Sequence, residues 1–223
     1  RWLGIPNEQR LLGRGVSVCA TCDGFFFREK EVVVIGGGDT AMEEALFLTH
    51  YARHVTIIHR RSTFRASMIL VEKAQQHPSI RFLRESEIVD ILGNDAVTSV
   101  SIRNTSTGEV SQLPAQGVFL AIGHRPNTDL FQGVLHLDKE GYILPVERTM
   151  TSIAGVFAAG DVADPHYRQA ITAAADGTRA AMDVRRWLEM ATEKGDRPKT
   201  GDDLLLSQRR ETLRFHDVAM GNG

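Results

Sequence analysis

The sequence is poor in cysteine: of its 223 residues only Cys19 and Cys22 are thiols. Two cysteines exclude a secreted framework held by several disulfides, and they draw attention to why the pair sits two residues apart. Long hydrophobic runs are also missing. The longest apolar stretches, around Gly117–Ile122 and Ile153–Ala159, fall far short of the roughly 20 residues that span a bilayer, so no membrane segment is expected. Nor does one sign of charge dominate: 28 acidic against 26 basic side chains leave a formal charge of -2. That balance excludes the whole-surface basic field of a nonspecific nucleic-acid binder, and any basic patch must be local. The start, Arg1-Trp2-Leu3-Gly4-Ile5-Pro6, has neither an initiator Met nor a charged-then-apolar leader, so a piece of a longer protein is expected. No internal repeat of fixed period is present.

What is present is ordinary globular composition, with 42% hydrophobic and 24% charged residues, enough for one large domain or two small ones. The β-branched run Glu31–Ile35 enters Gly36-Gly37-Gly38 and then Thr40–Leu48, which has helical apolar spacing. A second strand is predicted over Val55–His59, a helix over Ala66–Gln76 before Pro78, and a third strand over Ile80–Leu83. This alternation predicts parallel strands joined by crossover helices. From Ile88 the pattern becomes Ile88–Leu92, Val97–Arg103 and Glu109–Leu113, separated by turn residues, which predicts an antiparallel meander covering one side of the sheet. Gly117–Ile122 reads as a buried strand, followed by a crossover into a second segment. There Gly155–Ala159 reads as another buried strand, Arg168–Glu189 as a long helix, Phe157 and Trp187 as core, and Thr192–Asp203 as a solvated tail.

Three constellations carry chemistry. Gly36-Gly37-Gly38-Asp39-Thr40-Ala41 is a G-x-G-x-x-A pattern between a strand and a helix, where glycines allow close approach to a pyrophosphate and the helix N-terminus supplies amide donors. A plain strand-to-helix turn is the plainer alternative. About twenty residues on, an NAD site would place a carboxylate for the ribose 2′-hydroxyl. Here His59, Arg60, Arg61 and Arg65 stand instead, without a carboxylate among residues 59–65. Guanidinium groups take phosphate oxygens in bidentate fashion, so the pattern prefers NADPH, with a solvated basic loop as the alternative. Third, Cys19-Ala20-Thr21-Cys22-Asp23-Gly24 could close a small redox-active disulfide, with Asp23 as a nearby acid or base. Zinc would need two further ligands, and an inert thiol pair is the remaining reading.

Taken together, these segments resemble the low-molecular-weight thioredoxin reductases of bacteria. Ala121-Ile122-Gly123-His124-Arg125-Pro126-Asn127, Gly155–Val162 and Tyr167-Arg168-Gln169-Ala170 extend the resemblance over roughly Leu3 to Leu188. Many members carry Asn where Asp39 stands. The resemblance implies an α/β protein: a Rossmann-like three-layer NADPH-binding domain with a β-meander and the Cys-x-x-Cys pair over residues 1–125, and the C-terminal portion of a second, FAD-binding domain over 126–191; composition alone suggests a flexible tail over 192–223. It implies that Gly36, Gly38, Asp39, Thr40 and Ala41 line the NADPH pyrophosphate, and that His59, Arg60, Arg61 and Arg65 take the 2′-phosphate. Gly160 and Asp161 would hold FAD through its ribityl chain, with Arg168, Gln169 and Ala170 against its ribityl and ring atoms. Cys22 would sit nearest the flavin, with Asp23 as the acid-base group and no metal. The implied reaction is reduction of thioredoxin by NADPH through FAD and the Cys19–Cys22 pair, in a cytoplasmic homodimer with no nucleic-acid or membrane partner. Two alternatives remain: a related reductase with another protein or small-molecule acceptor, and a non-catalytic NADPH-binding module. The family's FAD domain is split in sequence and has its own glycine fingerprint; this chain carries one fingerprint, the NADPH one.

Overall fold

The structure, a computed structural model, describes residues 1–193, and the predicted tail beyond Glu193 lies outside them. The chain divides into two compact units between His124 and Arg125.

The first unit is built on a five-stranded parallel sheet. Its strands are β1 (Val16–Ser17), β2 (Glu31–Ile35), β3 (His54–Ile58), β4 (Ile80–Leu83) and β8 (Gly117–Leu120), in the order β1-β8-β2-β3-β4. Helix α2 (Asp39–Leu48) connects β2 to β3, and α3 (Met68–Gln75) connects β3 to β4. The meander follows as β5 (Ser86–Leu92), β6 (Ser99–Asn104) and β7 (Val110–Pro114), paired antiparallel.

Period-two alternation along β2 explains the three layers. Val32 and Val34 pack with Ala41, Met42, Ala45 and Leu48 of α2. Val33 and Ile35 point to the other face, against Ile88, Ile91, Val100 and Ile102 of the meander. A strand buried on both faces must be apolar throughout, and each such side chain contributes about 1.5–3 kcal/mol. After β2 the chain winds outward through β3 and β4, then returns to place β8 on the other side of β2. That reversal leaves a crevice at the carboxyl ends of β2 and β8, where parallel α/β sheets bind ligands.

The ends of the predicted elements move by a residue or two, and β1 was not foreseen. The second unit departs further. Gly155–Ala159 is not a strand: it makes one isolated bridge, Met150 to Phe157. Thr151 N–H donates to the Val156 carbonyl and Ala158 N–H to that of Thr149, so the run pairs only with the adjacent residues 149–151 and joins no sheet. Val156 is consequently exposed and Phe157 only half-buried. The core of this unit is small, centred on Leu135, Ile143 and Ala158. Its long helix α4 spans Ala170–Glu193, beginning two residues later and ending four later than predicted. Trp187 is half-buried against Gly155 and not in a core. Asp183 pins α4 to the preceding loop: the Thr149 hydroxyl donates to its carboxylate at 2.8 Å, which holds that carboxyl below its usual range.

Candidate functional site

The glycine turn needs small residues for space, since none of its three glycines has a left-handed φ. A Cβ on Gly36 would lie 2.4 Å from the Ala121 carbonyl oxygen and 2.8 Å from the Ala41 Cβ. Gly36 therefore lets β2, β8 and α2 converge. Ala41 is fully buried beneath it, where its small side chain lets helix and strand pack closely. A Cβ on Gly37 would strike the His59 ring at 2.3 Å, whereas one on Gly38 would meet nothing within 4 Å. Gly38, the N-cap of α2, thus faces open space at the N-terminus of a ten-residue helix, and Asp39 and Thr40 form the first turn. Bare backbone at a helix N-terminus suits a pyrophosphate.

A cleft of about 690 Å³ opens beside this turn, lined by Gly36, Gly37, His59, Arg60, Arg61 and Arg65 together with Arg1, Trp2 and Ala121. Arg60, Arg61 and Arg65 are exposed, and none of them has a carboxylate partner among the described residues. Three unneutralised guanidinium groups are a donor set for a phosphate. His59 differs from its neighbours: its ring is buried, lies against Phe64 at 5.2 Å and bonds the Thr63 carbonyl through Nε2 at 3.0 Å. Burial first, then the three arginines, lower its pKa against the opposing Thr63 bond. Arg84, which sequence reasoning passed over, stacks on Phe64 at 4.9 Å and donates to the Ser62 carbonyl, bracing the arginine loop.

The cysteines follow β1. Cys19 and Cys22 are disulfide-bonded, with Cα atoms 5.3 Å apart. Cys19 caps the single turn α1 (Ala20–Asp23), accepting the Cys22 N–H at 3.2 Å, and Cys22 is exposed. Asp23 is held by a residue the sequence did not flag. Ser17, only 2% exposed, donates its hydroxyl to Asp23 Oδ2 at 2.7 Å and accepts the Cys19 N–H at 3.1 Å. The buried hydroxyl so orients the carboxylate next to the disulfide. Phe25 and Phe26 stand exposed just beyond. Among the described residues there is no group of three or more His, Cys, Asp and Glu side chains that could hold a metal.

The residues assigned to FAD lie in the second unit. Gly160, at φ +74°, starts a short 3-10 turn (Gly160–Val162) that contains the exposed Asp161. Arg168, Gln169 and Ala170 lead into α4. Asp164, also unforeseen, accepts the backbone N–H groups of His166, Tyr167 and Arg168 at 2.8–3.0 Å. Its slight burial raises the carboxyl pKa, but these bonds outweigh that and hold it low. A pocket of about 480 Å³ in this unit is lined by Ala159, Arg179 and Asp183 among others, and by none of the five residues assigned to FAD.

The family model for pyridine nucleotide-disulphide oxidoreductases matches residues 1–177. The chain belongs to that family. It is 57% identical over 189 residues to a thioredoxin reductase of Mycolicibacterium smegmatis, covering 84% of this chain and 61% of the relative. It is 53% identical over 206 residues to a bifunctional thioredoxin reductase/thioredoxin of Mycobacterium leprae, covering 91% of this chain and 45% of the relative. Among solved structures, a thioredoxin reductase from Streptococcus pyogenes superposes with a TM-score of 0.81 at 42% identity, covering 85% of this chain and 62% of that one. The chain thus spans about three fifths or less of the length of these relatives. Among the described residues no helix is long and apolar enough to cross a membrane.

Proposed function

We propose that the chain carries the NADPH-binding and dithiol parts of an NADPH-dependent, flavin-linked thioredoxin reductase. The observation that carries this reading is one compact unit holding both a Cys19–Cys22 disulfide with Cys22 exposed and the Ser17-held Asp23 in the same turn, and an arginine-lined cleft beside a glycine turn. Gly38 and the first turn of α2 would take the pyrophosphate, and Arg60, Arg61 and Arg65 the 2′-phosphate. The open space at Gly38 and the unpaired guanidinium groups fit those ligands. For FAD, the exposed Asp161 carboxylate suits hydroxyl donors of the ribityl chain, and Arg168, Gln169 and Ala170 would lie along the same group. When bound, the flavin supplies the relay of an electron pair from nicotinamide to sulfur.

Two electrons and two protons convert the Cys19–Cys22 disulfide to two thiols. Asp23, oriented by Ser17, is the group in that turn able to give or take a proton. The Cys22 N–H that Cys19 Sγ accepts would also stabilise a Cys19 thiolate. That thiolate would attack the disulfide of oxidised thioredoxin, forming a mixed disulfide; Cys22 would then displace reduced thioredoxin and restore the intramolecular bond. The same reading makes the protein a cytoplasmic homodimer. NADPH oxidation in the presence of FAD and oxidised thioredoxin, followed by loss of nicotinamide absorbance, tests it. Turnover abolished by Cys22→Ser supports the reading; NADPH-dependent reduction of other disulfides with none of thioredoxin replaces the acceptor.

A further inference from the structure

We infer that Asp39 is a positioning residue for selection of the 2′-phosphate and not a ligand of the pyrophosphate. The inference rests on the NADPH reading of the cleft. A carboxylate in the first turn of α2 has the same sign as a diphosphate, so direct contact would be repulsive. That carboxylate is engaged elsewhere, since Asp39 Oδ1 accepts the backbone N–H of Ser67 at 2.6 Å. Two residues before it, the Gly37 carbonyl accepts the N–H groups of Arg65 at 2.7 Å and Ala66 at 3.0 Å. Three successive amides, those of residues 65, 66 and 67, are thereby strapped to the glycine turn.

The strap joins two subsites that a nucleotide must bridge. In 2′-phosphorylated adenosine nucleotides the spacing between the 5′- and 2′-phosphates is set by the ribose. A loop that holds Arg65 at a fixed distance from the turn therefore selects for that spacing. The Gly37 bonds are made by backbone and are the same for any side chain; the Ser67 bond depends on the residue at 39. It is a charge-assisted bond between exposed groups, so its loss should loosen the loop without unfolding the unit. An Asn at position 39 keeps an acceptor oxygen for Ser67 and removes the charge beside the pyrophosphate.

Calorimetric titration of the whole chain with 2′,5′-ADP and with 5′-AMP tests this, alongside hydrogen exchange of the Ser67 amide. The chain is expected to prefer 2′,5′-ADP by about tenfold or more. Asp39→Ala should lose about threefold or more of that preference, read as the ratio of the two affinities, and should expose the Ser67 amide to exchange. Asp39→Asn should restore both. A full preference retained in Asp39→Ala, or an Asp39→Asn chain as impaired as Asp39→Ala, overturns the strap and leaves the NADPH reading standing. No preference in the unsubstituted chain overturns the NADPH reading, and the selectivity role with it.

Discussion

Two neighbouring glycines should answer alanine in opposite ways. At Gly38 the added methyl meets nothing within 4 Å, and the backbone angles, φ -100° and ψ -179°, are open to any residue. Alanine stiffens the unfolded chain, worth about 0.4–1 kcal/mol, and is a poorer N-cap than glycine by a similar amount. These effects offset, so Gly38→Ala should leave unfolding free energy within about 0.5 kcal/mol. The methyl nevertheless occupies the surface given to the pyrophosphate. Losing a charge-assisted bond or two there should weaken NADPH by about tenfold to hundredfold. At Gly37 the methyl would lie 2.3 Å from the His59 Cε1. Overpacking of that kind destabilises by about 1–3 kcal/mol. If the ring swings away, the bond to Thr63 is lost as well, worth about 1 kcal/mol. Adding His59→Ala to Gly37→Ala should recover part of the loss. Urea unfolding and calorimetric titration with NADPH give both quantities. A Gly38→Ala chain that binds NADPH at full strength would refute the placement of the pyrophosphate, and one destabilised by about 2 kcal/mol would refute the packing argument.

Other consequences follow from the same geometry. Because the folded-state pKa of His59 is lowered from 6.5, the unfolded chain takes up the proton first as pH falls. Stability should therefore be full above pH 6.5 and decline below it, and His59→Gln should flatten that decline in urea titrations at stepped pH. Gly155 sits at φ +81°, and a Cβ there would lie 2.9 Å from the Trp187 ring. Gly155→Ala should destabilise the second unit by about 2–4 kcal/mol, read by Trp187 fluorescence in a Trp2→Phe background. Ser17→Ala should leave Asp23 unbuttressed, shifting the pH dependence of alkylation of the reduced cysteines while their number stays at two. An unchanged pH profile would make the Ser17 bond purely structural.

What sequence made legible depended on whether a signal was local. The turn at Gly36-Gly37-Gly38 and the alternation of Val32 and Val34 with Val33 and Ile35 reflect a strand's own periodicity, so sheet, helices and meander could be read directly. The Gly155–Ala159 run shows where that logic fails. Its apolar residues resemble a buried strand, but a strand also needs ladder partners, which no local pattern encodes, and the run finds only the adjacent residues 149–151. Ser17 and Arg84 escaped notice because their roles exist only across tertiary contacts, to Asp23 and Phe64. Asp164 had a signal: Asp before Pro in a turn, placed to accept successive N–H groups. Ala41 was legible as the small residue of the G-x-G-x-x-A pattern, since the close approach of α2 to β2 needs one there, and the structure buries it.

The most direct test of the central claim is thiol exchange between the reduced chain and oxidised thioredoxin, which needs no flavin. The reduced chain should transfer its electron pair to thioredoxin, and Cys22→Ser should accumulate a mixed disulfide through Cys19. Exchange with a small-molecule disulfide but none with thioredoxin would contradict the account.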